Sequence, residues 1–144
     1  MAQISRSALV PYSAEQMYQL VNDVDAYPEF LPGCTGSRVL ESGDHQMTAA
    51  VDVSKAGISK TFVTRNTLTD NQSINMQLVD GPFRKLTGGW RFTSLSEDAC
   101  KVELNLEFEF TNMLVELAFG RVFKELASSM VQAFTLRAKE VYRA

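Results

Sequence analysis

The residues that could perform catalysis are few and far apart in this sequence. His45 is the sole histidine, and the surrounding "GDHQ" predicts an exposed hairpin turn. Cys34 and Cys100, together with one histidine, match neither the ligand set of a zinc site nor a Cys-His nucleophile. No glycine-rich segment has the spacing of a phosphate-binding or dinucleotide-binding loop. The sequence therefore predicts no catalytic residue and no metal site, and it disfavours an enzyme.

Length and composition favour one soluble domain spanning residues 1–144. The chain has 45% hydrophobic residues and a formal net charge of −3, so it has no general attraction to nucleic acid and DNA is not expected as a partner. Its first residues lack the apolar core of a secretory signal, and no apolar run approaches the ~18 residues of a membrane span. With two cysteines, these features predict a cytoplasmic protein.

The apolar pattern changes period along the chain and predicts the elements. Residues 2–10 favour a strand, and Ser13 with Gln16 three positions later forms the capping box of a first helix. Residues 34–111 alternate with period two, most clearly in "KVELNLEFEF", and 113–142 have helical periodicity. This order predicts an α+β helix-grip fold, in which a curved antiparallel sheet of about seven strands wraps around a long C-terminal helix.

A sheet curled around one helix tends to leave space between them, so the residues facing that space are candidates for a ligand site. Most of them are interpreted first as ordinary core. They are also rich in aromatic residues and methionine, which suits an adaptable apolar pocket. This inward set comprises Phe62, Leu68, Met76, Leu78, Leu86, Trp90, Phe92, Phe108 and Phe110 from the sheet, and Phe119, Phe123, Met130 and Phe134 from the helix.

The stretch "DVDAYPEFLPGC", residues 23–34, favours the pocket over ordinary core. Its two prolines cannot continue a regular helix, so residues 25–32 are predicted to form a short turn of helix and an irregular loop, which together carry Tyr27, Phe30 and Leu31. We expect these three side chains to close the mouth of an apolar cavity as a lid. The segment "GGW" at 88–90 predicts a bulge or a bend that directs Trp90 inward.

Charged residues give two further hypotheses, each with a simpler alternative. Arg137 lies on the apolar arc of the last helix, so it needs either an acid such as Asp23 or Asp25 or the polar group of a ligand. Two predicted hairpins carry basic residues that either are scattered and solvated or, if the hairpins are neighbours, form a patch for RNA phosphates. These residues are Lys55, Lys60, Arg65, Arg84, Lys85 and Arg91.

Several long segments resemble one protein family over nearly the whole chain. They are "VNDVDAYPEFLPGC", "KTFVTRN", "DGPFRKLTGGWRF", "FEFTN" and "ELAFGRVFKELASSMVQAFTLRAKEVY". They resemble the coenzyme Q-binding branch of the START-like (SRPBCC, polyketide cyclase/dehydrase) family. The resemblance implies the same helix-grip fold. It also implies a tunnel for ubiquinone or a related isoprenoid quinone, lined or gated by Tyr27, Phe30, Leu31, Pro32, Phe83, Trp90 and Phe110. The quinone would be a bound ligand, and no cofactor is expected to be required.

The resemblance implies two functions in different classes. A bacterial member is described as a toxin that binds the large ribosomal subunit and hinders subunit association, which inhibits translation initiation. The resemblance implies this function as the first expectation, with an antitoxin as a further candidate partner. Mitochondrial members bind ubiquinone and support respiration, which is the alternative and brings a peripheral membrane contact. A cyclase-like enzyme is the third and least favoured hypothesis.

Overall fold

A single seven-stranded sheet organises the protein, seen in a computed structural model that describes residues 2–55 and 57–142. All neighbouring strands are antiparallel, in the order β1-β7-β6-β5-β4-β3-β2. The strands are β1 (Ala2–Val10), β2 (Cys34–Gly43), β3 (Gln46–Lys55), β4 (Ile58–Thr69), β5 (Ser73–Asp80), β6 (Phe83–Ser96) and β7 (Ala99–Phe110).

Helices connect the first two strands and follow the last one. Helix α1 (Ala14–Asn22) begins at the predicted capping box, in which Gln16 N donates to Ser13 Oγ at 3.1 Å and Ser13 N donates to Gln16 Oε1 at 2.9 Å. A 3-10 helix (Val24–Glu29) follows it and contains Pro28. Helix α2 (Met113–Val141) is capped by Asn112 and packs across the concave face of the sheet.

Buried and more exposed residues alternate along β7, and the buried ones lie on the side of the sheet that faces α2. Val102, Leu104, Leu106, Phe108 and Phe110 are all buried on that side. We call the sheet surface opposite α2 the outer face.

The curved antiparallel sheet of seven strands packed against a long C-terminal helix confirms the predicted helix-grip fold. Among the residues that the structure describes, no helix is long and apolar enough to cross a membrane.

The glycine pair in β6 differs from the predicted bulge. Gly88 and Gly89 keep regular pairing with both neighbouring strands, whereas the bulges of β6 occur at Phe83/Lys85 and Ser94/Ser96. The reason for glycine is close backbone approach: a Cβ on Gly88 would lie 2.0 Å from the carbonyl oxygen of a β7 residue, and one on Gly89 would lie 2.2 Å from a β5 carbonyl oxygen. Of the predicted bulge or bend, the bulge was wrong and the bend stays a prediction, whereas the inward direction of Trp90 is confirmed, since the ring is buried.

Candidate functional site

A small cavity lies between the concave face of the sheet and α2. Its volume is about 60 Å³, below the ~300–1,000 Å³ of pockets that enclose drug-sized ligands. Its walls come from the 3-10 helix, the loop after it, five strands and α2. The lining residues are Val24, Tyr27, Leu31, Ala49, Val51, Phe62, Thr64, Asn66, Met76, Leu86, Trp90, Leu106, Phe123, Leu126, Ala127 and Met130.

The lid residues Tyr27 and Leu31 form one wall of this cavity. Tyr27 is buried, and its hydroxyl donates to the carbonyl oxygen of Val21 at the end of α1. Burial raises the pKa of the Tyr27 phenol well above its usual range, so the ring stays neutral. The backbone N–H of Leu31 donates to the Tyr27 carbonyl oxygen at 2.9 Å. The segment therefore forms a hydrogen-bonded wall of the cavity.

Phe30 does not line the cavity but attaches the lid to α2. Its ring lies edge-on to Phe134 with centroids 5.1 Å apart. The guanidinium of Arg137 stacks over the other side of Phe30 at 5.0 Å and donates to Glu29 Oε1 at 3.1 Å. Arg137 is thus paired with Glu29 and not with Asp23 or Asp25, because the 3-10 helix presents Glu29 to α2. We call Glu29, Phe30 and Arg137 the latch.

Two polar side chains stand out within the apolar cavity wall. Thr64 and Asn66 are 6% and 7% exposed and lie two residues apart on the inner face of β4. The Thr64 hydroxyl donates to Asn66 Oδ1 at 2.9 Å. Among the described residues, this is the side-chain hydrogen bond that Asn66 makes, and it uses Oδ1 and not Nδ2; the fully buried side-chain polar atoms without a partner are Asn22 Oδ1 and Arg137 Nε. A hydrogen-bond donor group is therefore left free beside the cavity.

Five of the predicted tunnel residues do not line this cavity. Phe83, Phe108, Phe110 and Phe119 pack with Phe123 at the N-terminal part of α2, with the closest ring centroids 4.8 Å apart. We call these five rings the aromatic cluster; Phe123 alone also reaches the cavity. Phe92 instead stacks on Trp90 with centroids 6.3 Å apart and touches Tyr18. These residues fill space and leave none for a ligand.

Pro32 lies in an open groove beside the cavity. The groove has a volume of about 430 Å³ and runs between the end of the lid loop, β3 and α2. Lys55 and Glu125 form an ion pair there, with Nζ and Oε2 2.6 Å apart. Leu126 lines both the groove and the cavity. Movement of Leu126 would join the two spaces.

The candidate nucleophiles have no catalytic setting. His45 lies exposed in the turn between β2 and β3. Cys34 and Cys100 are both buried, and burial raises the pKa of each thiol, which disfavours the reactive thiolate. Within the part of the chain that the structure describes, no three His, Cys, Asp or Glu side chains converge to hold a metal ion.

Three of the six basic residues share the outer face. Arg65 alternates with buried Thr64 and Asn66, and Lys85 and Arg91 alternate with the buried residues of β6. Arg65 and Lys85 are separated by β5, so their backbones are about 10 Å apart across the strands. Lys85 makes a long ion pair with Glu107 at 3.8 Å.

The other three basic residues lie on the α2 side of the sheet. Lys55 is held by Glu125, and Lys60 pairs in register with buried Val53, so it points to the inner side. Arg84 sits in the β6 bulge and donates to the Thr111 carbonyl oxygen at 3.4 Å. The two hairpins therefore do not build one patch of six cations.

Sequence reasoning found eight candidate residues that line the cavity: Tyr27, Leu31, Phe62, Met76, Leu86, Trp90, Phe123 and Met130. It missed small and polar lining residues such as Ala49, Ala127, Thr64 and Asn66. The inward direction of Thr64 and Asn66 was predictable, because they follow inward-facing Phe62 by two and four residues in β4 and so point to the same side of the sheet. Nothing in the apolar pattern marks which alanines border empty space.

Curated relatives are similar to this chain over its full length. The protein named "Persistence and stress-resistance toxin PasT" from Escherichia coli O6:H1 (strain CFT073) is 79% identical over 144 residues, covering 100% of this chain and 91% of the relative. "Ribosome association toxin RatA" from Escherichia coli K12 is 78% identical with the same coverage. "Coenzyme Q-binding protein COQ10 homolog B, mitochondrial" from Xenopus laevis is 30% identical, covering 96% of this chain and 58% of that protein.

A solved structure and a family profile agree with the fold. The Zhui aromatase/cyclase from Streptomyces sp. R1128 superposes with a TM-score of 0.85 at 17% identity, covering 99% of this chain and 96% of that one. At that identity the likeness concerns the fold alone. The profile described as "Polyketide cyclase / dehydrase and lipid transport" matches residues 10–135. The chain therefore belongs to the polyketide cyclase/dehydrase and lipid transport family.

Proposed function

We propose that the protein binds the large ribosomal subunit, hinders its association with the small subunit and so inhibits translation initiation in the cytoplasm. The observation that carries this proposal is the 78% identity, over every residue of this chain, to a protein named for ribosome association. At that level of identity, an interaction surface is expected to be shared.

We assign the RNA contact to the outer face, where three of the predicted cations share a surface with the glutamates of β7. Arg65 and Arg91 are exposed there and make no ion pair among the described residues. Around them lie uncharged hydrogen-bonding side chains: Thr67 of β4 pairs in register with Asn75 of β5, and Gln77 of β5 pairs in register with Arg65 on one side and Thr87 of β6 on the other. Cations that contact phosphates, surrounded by groups that accept and donate hydrogen bonds, are typical of an RNA-binding surface.

Co-sedimentation with purified large subunits tests this assignment. The triple variant Arg65→Glu, Lys85→Glu, Arg91→Glu should lower affinity about tenfold or more at 0.1 M salt. The salt slope should fall by up to about three units, because each lost phosphate contact removes roughly one. Co-sedimentation of this variant at the wild-type level would overturn the outer face as the contact.

The matched control reverses the same number of charges on the other side of the molecule. Lys60, Lys124 and Lys139 are exposed and make no ion pair among the residues described here. Their triple replacement by glutamate changes the net charge equally. This control should lose at most a few-fold in affinity, since long-range repulsion is screened within about 10 Å at 0.1 M salt.

A second function is favoured by the cavity: we propose that it binds an apolar molecule of the quinone class. Fourteen of the residues on its wall, all except Thr64 and Asn66, present apolar or aromatic surface, and one relative is named a coenzyme Q-binding protein. The closed volume of about 60 Å³ requires the lid or Leu126 to move before a ring enters. The open groove beside Leu126 then offers a path for an isoprenoid chain.

Solvent extraction of the gently purified protein, followed by mass spectrometry, tests ligand binding. A quinone present at about one molecule per chain supports the proposal. Extracts with no apolar molecule, together with no binding of added short-chain quinone, would overturn it. Neither proposed function includes turnover, because the described residues of the cavity wall include no histidine, lysine or carboxylate to act as general acid or base.

A further inference from the structure

Asn66 is an unusual residue for the position that it occupies. An amide in an apolar interior costs stability unless its donors and acceptors are paired, and Asn66 has a free Nδ2 group at 7% exposure. Replacing Asn66 and Thr64 by apolar residues of similar shape would remove that cost. A pair that costs stability and borders a cavity is a candidate ligand contact.

Thr64 orients the amide of Asn66. Its hydroxyl donates to Asn66 Oδ1 at 2.9 Å, which occupies the acceptor end of the amide. The end that remains is the NH₂ group, and that group can only donate. The complementary ligand group is therefore a hydrogen-bond acceptor, such as a carbonyl oxygen.

Other polar groups on or near the cavity wall are less suited to donate a hydrogen bond to a ligand. The Tyr27 hydroxyl is already used in its bond to the Val21 carbonyl oxygen. Arg137 does not line the cavity, since the latch holds it against Glu29 and Phe30. Trp90 contributes a broad ring surface to the wall, which suits stacking against a planar ring.

We infer that Asn66, oriented by Thr64, is the polar anchor of the cavity and donates a hydrogen bond to a ring carbonyl oxygen of an otherwise apolar ligand. This inference rests on the proposed binding of a quinone-class molecule and identifies how the site distinguishes it from a plain hydrocarbon. The anchor fixes the carbonyl-bearing ring beside β4. The rest of the molecule contacts mainly apolar and aromatic side chains.

A pair of probe molecules separates the anchor from the apolar pocket. Tetramethyl-1,4-benzoquinone carries two carbonyl oxygens, and its fully substituted ring resists addition of thiols. 1,2,4,5-Tetramethylbenzene has a similar ring and the same four methyl groups but no acceptor. Binding of the quinone is followed by quenching of Trp90, the single tryptophan, and binding of both probes by NMR titration.

We expect the wild-type protein to bind the quinone at least about tenfold more tightly than the hydrocarbon. Asn66→Leu should weaken quinone binding by about tenfold and leave hydrocarbon binding within about twofold. Asn66→Asp, which places acceptor oxygens at the same position, should weaken quinone binding at least as much. In the wild-type complex, the side-chain amide resonances of Asn66 should shift with the quinone and not with the hydrocarbon.

The control variant is Asn75→Leu, an identical substitution at an exposed position on the outer face of β5, and it should bind both probes like wild type. Equal affinity of the two probes for wild type, or unchanged quinone affinity in folded Asn66→Leu and Asn66→Asp, would overturn the anchor while leaving the ligand-binding function standing. Failure of wild type to bind either probe would overturn ligand binding itself, and the anchor with it.

Discussion

The aromatic cluster and the cavity are two neighbouring parts of the same helix–sheet interface, built largely from the same kinds of residue. In the cluster, Phe83, Phe108 and Phe123 have ring centroids 4.8–6.4 Å from one another, so each gap is filled. At the cavity, Ala49 and Ala127 occupy positions where a ring would fill the space. The comparison teaches that small residues, more than aromatic content, decide where this fold is hollow.

The largest expected effect comes from removing a ring in the cluster. Phe108 is 0% exposed, so Phe108→Ala should lower the free energy of unfolding by about 3–5 kcal/mol through lost burial and a new cavity. Met130→Ala, beside the existing cavity and only half-buried, should cost less than about 2 kcal/mol. Urea denaturation measures both. Equal losses would show that the cluster and the cavity are packed alike.

Filling the two regions with the same side chain sharpens the comparison. Ala127→Leu places its added atoms in the cavity, so the free energy of unfolding should change by less than about 1 kcal/mol and quinone binding should be lost. Ala138→Leu, a fully buried position on the same helix away from the cavity, should cost about 1–3 kcal/mol through overpacking.

Thermal and urea denaturation, with Trp90 quenching for ligand binding, check this pair. A large destabilisation by Ala127→Leu would contradict the presence of usable space beside Ala127. Retained quinone affinity in a stable Ala127→Leu protein would place the ligand elsewhere.

Breaking the latch should change the rate of ligand dissociation more than the stability of the protein. Arg137→Met removes the pair with Glu29 and the stacking on Phe30, but it keeps much of the apolar stem. Because Glu29 is largely exposed, the loss of stability should be below about 1 kcal/mol. Dissociation of the quinone probe, followed by stopped-flow fluorescence, should become several-fold faster.

The control for the latch is Arg121→Met, which breaks the exposed ion pair with Glu125 on the same helix. It should leave the dissociation rate unchanged. An unchanged rate in Arg137→Met as well would show that the lid opens without breaking the latch.

The two thiols report on the lid and on the whole fold separately. Burial raises the pKa of both thiols, so the folded state holds these protons more tightly than the unfolded state does. The resulting contribution to stability is complete below the unfolded thiol pKa and is lost as pH rises from that pKa through the raised pKa of the folded state. Cys34 is the first residue of β2, directly after the lid loop, whereas Cys100 lies within β7. A thiol-specific reagent at pH 8 should label Cys34 by lid opening and Cys100 only by global unfolding.

Arg137→Met should therefore accelerate labelling of Cys34 and leave Cys100 unchanged. Peptide mass spectrometry after timed labelling distinguishes the two sites. Equal labelling rates for both cysteines would mean that the lid does not open independently of the sheet.

The fold was readable from the sequence because its strongest signals are local. The alternation through β7 and the capping box of Ser13 and Gln16 each depend on residues close in the chain, and both are confirmed. The interaction of Arg137 with Glu29 was not predictable, because it depends on how the 3-10 helix turns its last residue toward α2. Likewise, the glycines of β6 respond to the backbones of β5 and β7, which sequence patterns do not locate.

The cavity was only partly readable for a related reason. Inward direction follows from period two, and it correctly placed Phe62 and Trp90 on the wall. Whether inward side chains touch or leave a gap depends on the curvature of the sheet and the distance to α2. That distinction separated Phe83 and Phe119, which fill the cluster, from the residues that border space.

A subunit-joining experiment tests the central proposal most directly. Purified small and large ribosomal subunits are mixed with increasing amounts of the protein, and the fraction of joined ribosomes is measured by sucrose-gradient sedimentation. We predict that the joined fraction falls and that the protein sediments with the large subunit, with the outer-face triple variant much weaker and Asn66→Leu unchanged. An unchanged joined fraction at saturating protein, with no protein on the large subunit, would contradict the proposal and leave the cavity as the functional part of the molecule.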